Sequence, residues 1–375
     1  MKVRLCSLLV ALALPLAGQR HRIEEVNAEK PDGKMLQQIM QENDAAKKTA
    51  LLEQFTTQFA TSSDLPWVLE QLQSAYVKAN DADKIISTGD RLLAVDPDDP
   101  EAGIQNLKAA EAKKDTALIK KYALAASAAA RKMGAAPQPK EAEDVESWKA
   151  TVQYAKQVGG YADYALYRAA VESHDPKVAI ELGEALQGQS PESLYSVRMQ
   201  QTLFVAYRQA NDNAKALALA EHVLATDQSN EDMLLVMADN YAQQKKEPDK
   251  VHAYSAKIVE LMATKPKPEG VSDADWQARK NLVTGLAHYM SGKLYYTQNN
   301  FGKADGELRA ALPLVESNAA MKPEVLFLLG YANYQLKKPQ DAANYYKACA
   351  ALKSQFQAPA AKSLQGIKNE YHGVQ

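Results

Sequence analysis

Apolar residues recur at helical spacing along most of the chain, and polar turns interrupt them. The pattern is clearest over residues 322–353, where one apolar run ends at Lys337-Lys338-Pro339 and a second follows. Spacing of this kind predicts two short amphipathic helices joined by a polar turn. Gly330 and Ala342 are small residues, so they stand where the two helix backbones would approach closely.

Similar patterns predict helix pairs along the rest of the chain. Two helices are expected over residues 32–62, a pair is expected around the Asn80-Asp81 turn, and another over residues 101–133. We expect the helix that begins near residue 141 to stop at Gly159-Gly160, because glycine disfavours helix interiors. Counting pairs gives about eight hairpins, and an amphipathic segment over residues 359–371 is expected to cap the stack.

The clearest hairpin resembles a tetratricopeptide repeat. That family's pattern is a large residue, then Leu-Gly, an aromatic residue and, after the turn, an alanine followed by a large residue one helical turn later. The matching positions, in order, are Leu326, Leu329, Gly330, Ala342 and Tyr346. Asn333 departs from the pattern, because it stands where the aromatic residue is usual. Tyr207 and Tyr241 lie 34 residues apart, which is the family's repeat length.

The resemblance implies an all-α chain that folds as a right-handed α-solenoid of stacked antiparallel helix hairpins, the superhelix of this family. We expect a signal peptide over residues 1–18, hairpins over 19–133, a loop over 134–140, repeats over 141–355, and a capping helix and tail over 356–375. The loop is expected because residues 134–140 contain Gly134, Pro137 and Pro139. A boundary between two subdomains at this loop is the second choice.

The beginning of the chain has the composition of a secretory signal peptide. Lys2 and Arg4 precede an apolar run over residues 5–14, and the small pair Ala17-Gly18 follows it. A run of about ten residues is too short for a membrane span, which needs about twenty. We therefore expect export to the periplasm or the extracellular space, with no integral membrane span after cleavage. A buried N-terminal helix is the alternative.

Composition excludes some function classes. The 375 residues carry 44 Lys and Arg against 46 Asp and Glu, a formal net charge of −2, and the charges are scattered. This balance argues against nucleic acid as a partner. Cys349 is the one cysteine that would remain after cleavage, so no internal disulfide is expected. Its place on an alanine-rich helix predicts a small buried residue.

No motif in the sequence indicates catalysis, a cofactor or a metal site. Phosphate-binding loops, dinucleotide fingerprints, nucleophile elbows and zinc-binding helices are all absent from the sequence. The acidic run over residues 96–101 lacks the glycine and the distant glutamate of a calcium loop, so we expect a turn whose carboxylates cap the next helix. We predict that the protein is not an enzyme. An enzyme would need a compact catalytic domain that the repeats leave no room for.

A candidate binding surface comes from the resemblance. In the family, the first helices of successive repeats line a concave groove, and this places seven aromatic residues of this chain on it. They are Tyr289, Tyr296, Phe327, Tyr331 and Tyr334 in the C-terminal half, with Tyr161 and Tyr164 upstream. Tyrosine combines an apolar face with a polar tip, which suits peptide recognition. Ordinary packing between repeats is the alternative, and the capping segment could cover the groove.

The leading functional hypothesis is an exported, non-catalytic scaffold that mediates protein–protein interaction, for instance in assembling an envelope complex. Its partner would be a protein or peptide segment. The second hypothesis is binding of an envelope glycan or polymer, because tyrosine faces also stack on sugar rings. Self-association into a homo-oligomer through the ends of the array is left open.

Overall fold

The computed structural model describes residues 20–23 and 25–374, and most of these residues are helical. Seventeen α-helices follow one another in these residues, and no β-strand lies among them. The all-α prediction is confirmed. Within the described ranges, no helix has both the length and the hydropathy that crossing a membrane requires. The predicted signal peptide over residues 1–18 lies outside the described residues.

The chain divides into two compact units, and the boundary falls between Asp212 and Asn213. The described helices of the first unit are α1 (Pro31–Gln41), α2 (Ala45–Gln58), α3 (Leu65–Ala79), α4 (Ala82–Val95), α5 (Pro100–Lys113), α6 (Thr116–Gly134), α7 (Val145–Ser173), α8 (Pro176–Gln189) and α9 (Leu194–Gln209). Those of the second unit are α10 (Asn213–Leu224), α11 (Glu231–Gln244), α12 (Pro248–Thr264), α13 (Asp273–Thr297), α14 (Phe301–Leu314), α15 (Met321–Gln335), α16 (Pro339–Ala350) and α17 (Gln357–Glu370).

Stacked hairpins account for the packing of each unit. Within each unit every helix contacts the helix that follows it, and the α5–α7 and α13–α15 pairs show that alternate helices meet as well. Each hairpin buries its apolar side against its neighbours, so the core runs along the stack and has no single centre. The predicted solenoid of antiparallel helix hairpins is confirmed in each unit.

Tight turns between helices follow from local chemistry. At the α3–α4 turn, Asn80 has a left-handed backbone with φ 55° and ends α3, and the Asp81 carboxylate then accepts a hydrogen bond from the Lys84 N–H at 3.1 Å. Lys114 and Asp115 repeat this arrangement between α5 and α6. A left-handed residue followed by an N-capping aspartate reverses the chain within two residues. The predicted turn at Asn80-Asp81 is confirmed.

Two glycines permit close contact between paired helices. A Cβ on Gly330 of α15 would lie 2.7 Å from the Tyr346 ring of α16. On α13, a Cβ on Gly292 would lie 2.8 Å from Leu308 of α14. Carbon atoms in ordinary contact are about 3.5–4.0 Å apart, so a larger residue would separate the helices. These positions are the small and large slots of the repeat pattern.

Asn333 fills the slot where an aromatic residue is usual because it belongs to a buried polar network. Its side chain is fully buried, and Nδ2 donates hydrogen bonds to Asp305 at 2.7 Å and to the Leu329 carbonyl at 2.9 Å. Its Oδ1 accepts a hydrogen bond from Arg309, which also pairs with Asp305. Every polar group of the asparagine therefore has a partner, and burial without hydrogen bonds would be costly.

The predicted helix stop at Gly159-Gly160 is wrong. Helix α7 runs without a break through both glycines, from Val145 to Ser173. Each glycine costs about 1 kcal/mol relative to alanine in a helix interior. Packing of α7 against α5, α6, α8 and α9 opposes that cost, so tertiary contact overrides local propensity here. The loop predicted over residues 134–140 lies between the end of α6 at Gly134 and the start of α7.

The C-terminal segment closes the second unit. Its helix α17 lies within the segment predicted to cap the stack and buries Ala360 and Ile367. Both residues belong to a cluster with Tyr346 and Cys349 of α16. Cys349 is fully buried, as predicted, and burial raises the pKa of its thiol to about 11.

Candidate functional site

A run of four tyrosines lies on α7 and α9 of the first unit. Tyr161 and Tyr164 have ring centroids 6.4 Å apart, Tyr164 lies 5.5 Å from Tyr195, and Tyr195 lies 5.8 Å from Tyr167. The three α7 members recur at every third position, which keeps them on one side of the helix. All four side chains are half-buried. We call Tyr161, Tyr164, Tyr167 and Tyr195 the tyrosine row.

One end of the tyrosine row is fixed by charged neighbours. The Tyr161 hydroxyl donates a hydrogen bond to Glu111 on α5, and burial together with this bond raises the pKa of the tyrosine. Lys108 Nζ lies 5.9 Å from the Tyr161 ring centroid, within cation–π range. Tyr161 is therefore held in place, and the ring faces of the other three members continue from it along α7 and α9.

Exposed aliphatic side chains occur on the two helices that carry the tyrosine row. On α9, Leu194 and Val197 are 59% and 55% exposed, although both are large apolar residues. On α7, Val171 follows Tyr164 and Tyr167 on the same side of the helix and is 38% exposed. Val171 therefore extends the apolar side of α7 beyond the half-buried rings, and contiguous exposed apolar groups are uncommon on a surface that meets only water.

In the second unit, the structure brings together two of the predicted groove residues. The ring centroids of Tyr296 and Tyr331 are 5.4 Å apart in an edge-on contact, and both rings also meet Phe301. Burial raises the pKa of Tyr296. The three rings join α13, α14 and α15, and Tyr296 and Tyr331 also pack on the apolar core of the second unit.

Two other predicted residues contact the C-terminal segment. The Phe327 ring lies 5.5 Å from Phe356, which precedes α17. The Tyr334 hydroxyl donates a hydrogen bond to Glu370 at 2.8 Å. The segment that was predicted to cap the stack therefore occupies this side of the predicted groove.

Tyr289 lies apart from these rings in a charged setting. Its hydroxyl accepts a hydrogen bond from Lys293 at 3.0 Å, and Lys293 pairs with Glu324 at 2.8 Å. The predicted groove residues thus separate into three settings within the second unit, while Tyr161 and Tyr164 belong to the tyrosine row of the first unit.

A serine–histidine contact in the second unit is enclosed. Ser291 Oγ lies 2.9 Å from Nδ1 of His252, whose ring stacks on Tyr295 at 3.7 Å. Burial lowers the pKa of His252. Because Ser291 is only 3% exposed, a substrate could not reach its hydroxyl without the helices separating.

One group of described residues has converging metal-ligand atoms. The ligand atoms of His21, Asp96 and Asp99 all lie within 4.8 Å of one another. Arg20 already pairs with Asp96 at 2.5 Å, and a positive charge at that position disfavours a bound cation. The group is therefore better suited to holding positively charged side chains.

Tyr167, Tyr195, Leu194 and Val197 were not singled out from the sequence. Tyr195 is separated from Tyr164 by the whole of α8, and only the packing of α7 against α9 brings their rings together. The sequence signal that could have found them is an apolar pair one turn apart, Leu194 and Val197, at the start of a helix that already has a buried side.

No protein-family model and no curated protein matches this chain. Solved structures of helical-repeat proteins do match along most of it. The TPR domain of P58(IPK) covers 92% of this chain and all of its own, at 11% identity and a TM-score of 0.27. Yeast Tom70 covers 92% and 97%, at 10% identity and 0.22. The Cut9–Hcn1 heterotetramer structure covers 90% and 84%, at 13% identity and 0.27. These scores are too low to transfer a function.

Proposed function

We propose that this protein is a non-catalytic scaffold that binds a protein segment on the tyrosine row. The observation that carries this proposal is the run of four half-buried tyrosine rings in contact across α7 and α9, with the exposed Val171 on the same side of α7. The signal-like composition of residues 1–18 supports export, and we extend the proposal to a role in the periplasm or the extracellular space, such as holding an envelope complex together.

Tyrosine rings on a rigid helix pair are effective anchors for a partner. Each ring offers a large apolar face and has few rotatable bonds, so little conformational entropy is lost on binding. The hydrogen bond from Tyr161 to Glu111 fixes one end of the row before any partner arrives. Buried aromatic anchors of this kind commonly cost about 2 kcal/mol or more of binding free energy when truncated to alanine.

The tyrosine row is a better candidate than the aromatic residues of the second unit. There, Phe327 and Tyr334 contact the C-terminal segment, so a partner would have to displace Phe356 and Glu370. By contrast, Val171 is exposed in the folded chain on the side of α7 that carries Tyr164 and Tyr167. A segment with aliphatic side chains could cover Val171 and these rings without any rearrangement.

Site-specific photocrosslinking in cells that make the protein tests this proposal. A photoreactive amino acid replaces Val171, and in a matched control it replaces Val95 on α4, which is also an exposed valine. We expect a discrete protein adduct from position 171 and none from position 95. The adduct should disappear when Tyr164→Ala and Tyr195→Ala are added, with helicity unchanged by circular dichroism.

Equal adducts from both positions, or an adduct that survives loss of the two tyrosines, would contradict the proposal. Labelling of a glycan in place of a protein at position 171 would contradict it as well and would favour the polymer-binding alternative.

A further inference from the structure

Residues 20–23, 25 and 26 lie outside all the described helices, and part of this segment packs against the first unit. Ile23 and Val26 pack on the core cluster that includes Leu36, Phe55 and Leu72. Arg20 and His21 precede these apolar contacts and meet acidic residues of α3 and of the turn between α4 and α5. Two basic side chains of this segment therefore face acidic residues, and two aliphatic side chains pack on the core.

The acidic residues form a defined site. Arg20 binds both oxygens of Asp96, with Nε at 2.5 Å and Nη2 at 3.1 Å. Nε2 of His21 lies 3.5 Å from Asp96 and 3.4 Å from Asp99, and the His21 N–H points to Glu70 at 3.4 Å. We call Glu70, Asp96 and Asp99 the acidic site.

Because the carboxylates of the acidic site are partly or fully buried, a positively charged partner stabilises their ionised form. The Asp99 side chain is 2% exposed, and its Oδ1 accepts hydrogen bonds from the N–H groups of Glu101 and Ala102 at the start of α5. Burial raises the pKa of Asp99 and raises that of Glu70 to about 7. The hydrogen bond from Arg20 lowers the pKa of Asp96. Buried carboxylates without a cationic partner are strongly disfavoured.

The basic residues divide into two that contact the acidic site and one that does not. Arg22 follows His21 directly, yet its side chain is exposed. Recognition is therefore specific to two adjacent positions and is not a general attraction to a basic segment. A bidentate arginine contact adds geometric selectivity to the charge.

We infer that the acidic site is a recognition site for an extended protein segment that presents adjacent arginine and histidine followed by an aliphatic residue, and that Arg20 and His21 of the chain itself occupy it in cis. The inference does not depend on the tyrosine row. The contacts that Arg20 and His21 make with the acidic site come from their side chains and one backbone N–H, so a segment of the same chemistry in another protein can replace the chain's own. The chain's own segment then sets the threshold for binding.

Because the chain's own segment occupies the acidic site, a free peptide of the same sequence has to compete with it. A tethered segment acts at an effective concentration of about a millimolar, so it should weaken binding of the same peptide in trans by about tenfold or more. Charge reversal by Arg20→Glu and His21→Glu should release the site, because two negative charges would face Asp96 and Asp99. Arg22→Glu is the matched control, with the same charge change at an exposed position of the same segment.

The experiment uses the full chain and a fluorescein-labelled peptide with the sequence of residues 20–26, followed by fluorescence anisotropy, with EDTA present to exclude a bridging metal ion. We expect binding to the Arg20→Glu, His21→Glu variant, and binding at least about tenfold weaker to the wild type and to Arg22→Glu. Asp96→Asn and Asp99→Asn, added to the released variant, should abolish binding, and asparagine at 99 retains the helix cap.

Failure of the peptide to bind the released variant would overturn the inference, and so would equal binding by the released variant and the wild type. Binding that survives the two asparagine substitutions would overturn it as well. The Arg20→Ala, His21→Ala pair releases the site without adding charge, and it must give the same result. Circular dichroism of each variant establishes that the helices remain folded.

Discussion

Replacing Gly330 by alanine tests whether close helix contact sets the stability of the second unit. An added Cβ would lie 2.7 Å from Cδ1, 2.8 Å from Cε1 and 2.9 Å from Cγ of Tyr346. Ordinary carbon contacts need about 3.5 Å, so the ring or the helix must move by about 0.8 Å. Tyr346 is 2% exposed and its ring packs against Phe327 at 5.5 Å, so the ring has no free space to enter.

Two opposing terms set the magnitude. Overpacking a core costs about 1–3 kcal/mol, and alanine gains about 1 kcal/mol over glycine in a helix interior. Gly306 on α14 has nothing within 4 Å of an added Cβ, so Gly306→Ala should show the gain alone. Gly330→Ala should therefore be less stable than Gly306→Ala by about 1–3 kcal/mol.

Urea unfolding followed by circular dichroism measures this difference. Because stacked repeats can unfold in parts, amide hydrogen exchange of α15 and α16 is a second readout. Tyr346→Leu in the Gly330→Ala background should recover part of the loss, since leucine has no ring at the contact. Equal midpoints for Gly330→Ala and Gly306→Ala would refute the steric argument.

Three further predictions follow from single buried groups. Burial raises the pKa of Glu70 to about 7 from its ordinary value of 4.5, so the stability it contributes is full below pH 4.5 and is lost as the pH rises to about 7. Glu70→Gln should make the free energy of unfolding vary less with pH across this range. A pH profile identical to that of the wild type would contradict the raised pKa of Glu70. Asn333→Leu should cost about 1–3 kcal/mol in thermal unfolding, because Asp305 and Arg309 lose buried partners, whereas the exposed Asn344→Leu should change little. A thiol reagent at pH 8 should leave Cys349 unmodified until the chain unfolds, as measured by mass spectrometry of the peptide that contains it. Labelling of Cys349 in the folded chain would contradict the burial of this side chain.

Helical hairpins could be predicted from the sequence because their signals are local. Apolar spacing, the Asn80-Asp81 turn and the Gly330 slot each involve residues a few positions apart. Reliance on local signals also explains the wrong helix stop at Gly159-Gly160. The contacts that keep α7 continuous come from other helices, which a local pattern does not reveal.

Much of the candidate chemistry could not be predicted because it depends on distant residues. Arg20 and Asp96 are 76 positions apart, and no local pattern pairs them. The acidic run was correctly expected to cap a helix, since Asp99 caps α5, but its second role towards Arg20 and His21 appears only in the fold. Tyr195 joins Tyr164 across an intervening helix for the same reason.

The most direct test of the scaffold proposal is equilibrium binding of the crosslinked partner segment, once identified, to three forms of the full chain. These are the wild type, the Tyr164→Ala, Tyr195→Ala variant, and the Tyr296→Ala, Tyr331→Ala variant. We predict that the first pair of substitutions weakens binding by more than about tenfold, equivalent to about 1.4 kcal/mol, and that the second pair has little effect. Loss of binding from the second pair alone would contradict the proposal and would place the binding surface in the second unit.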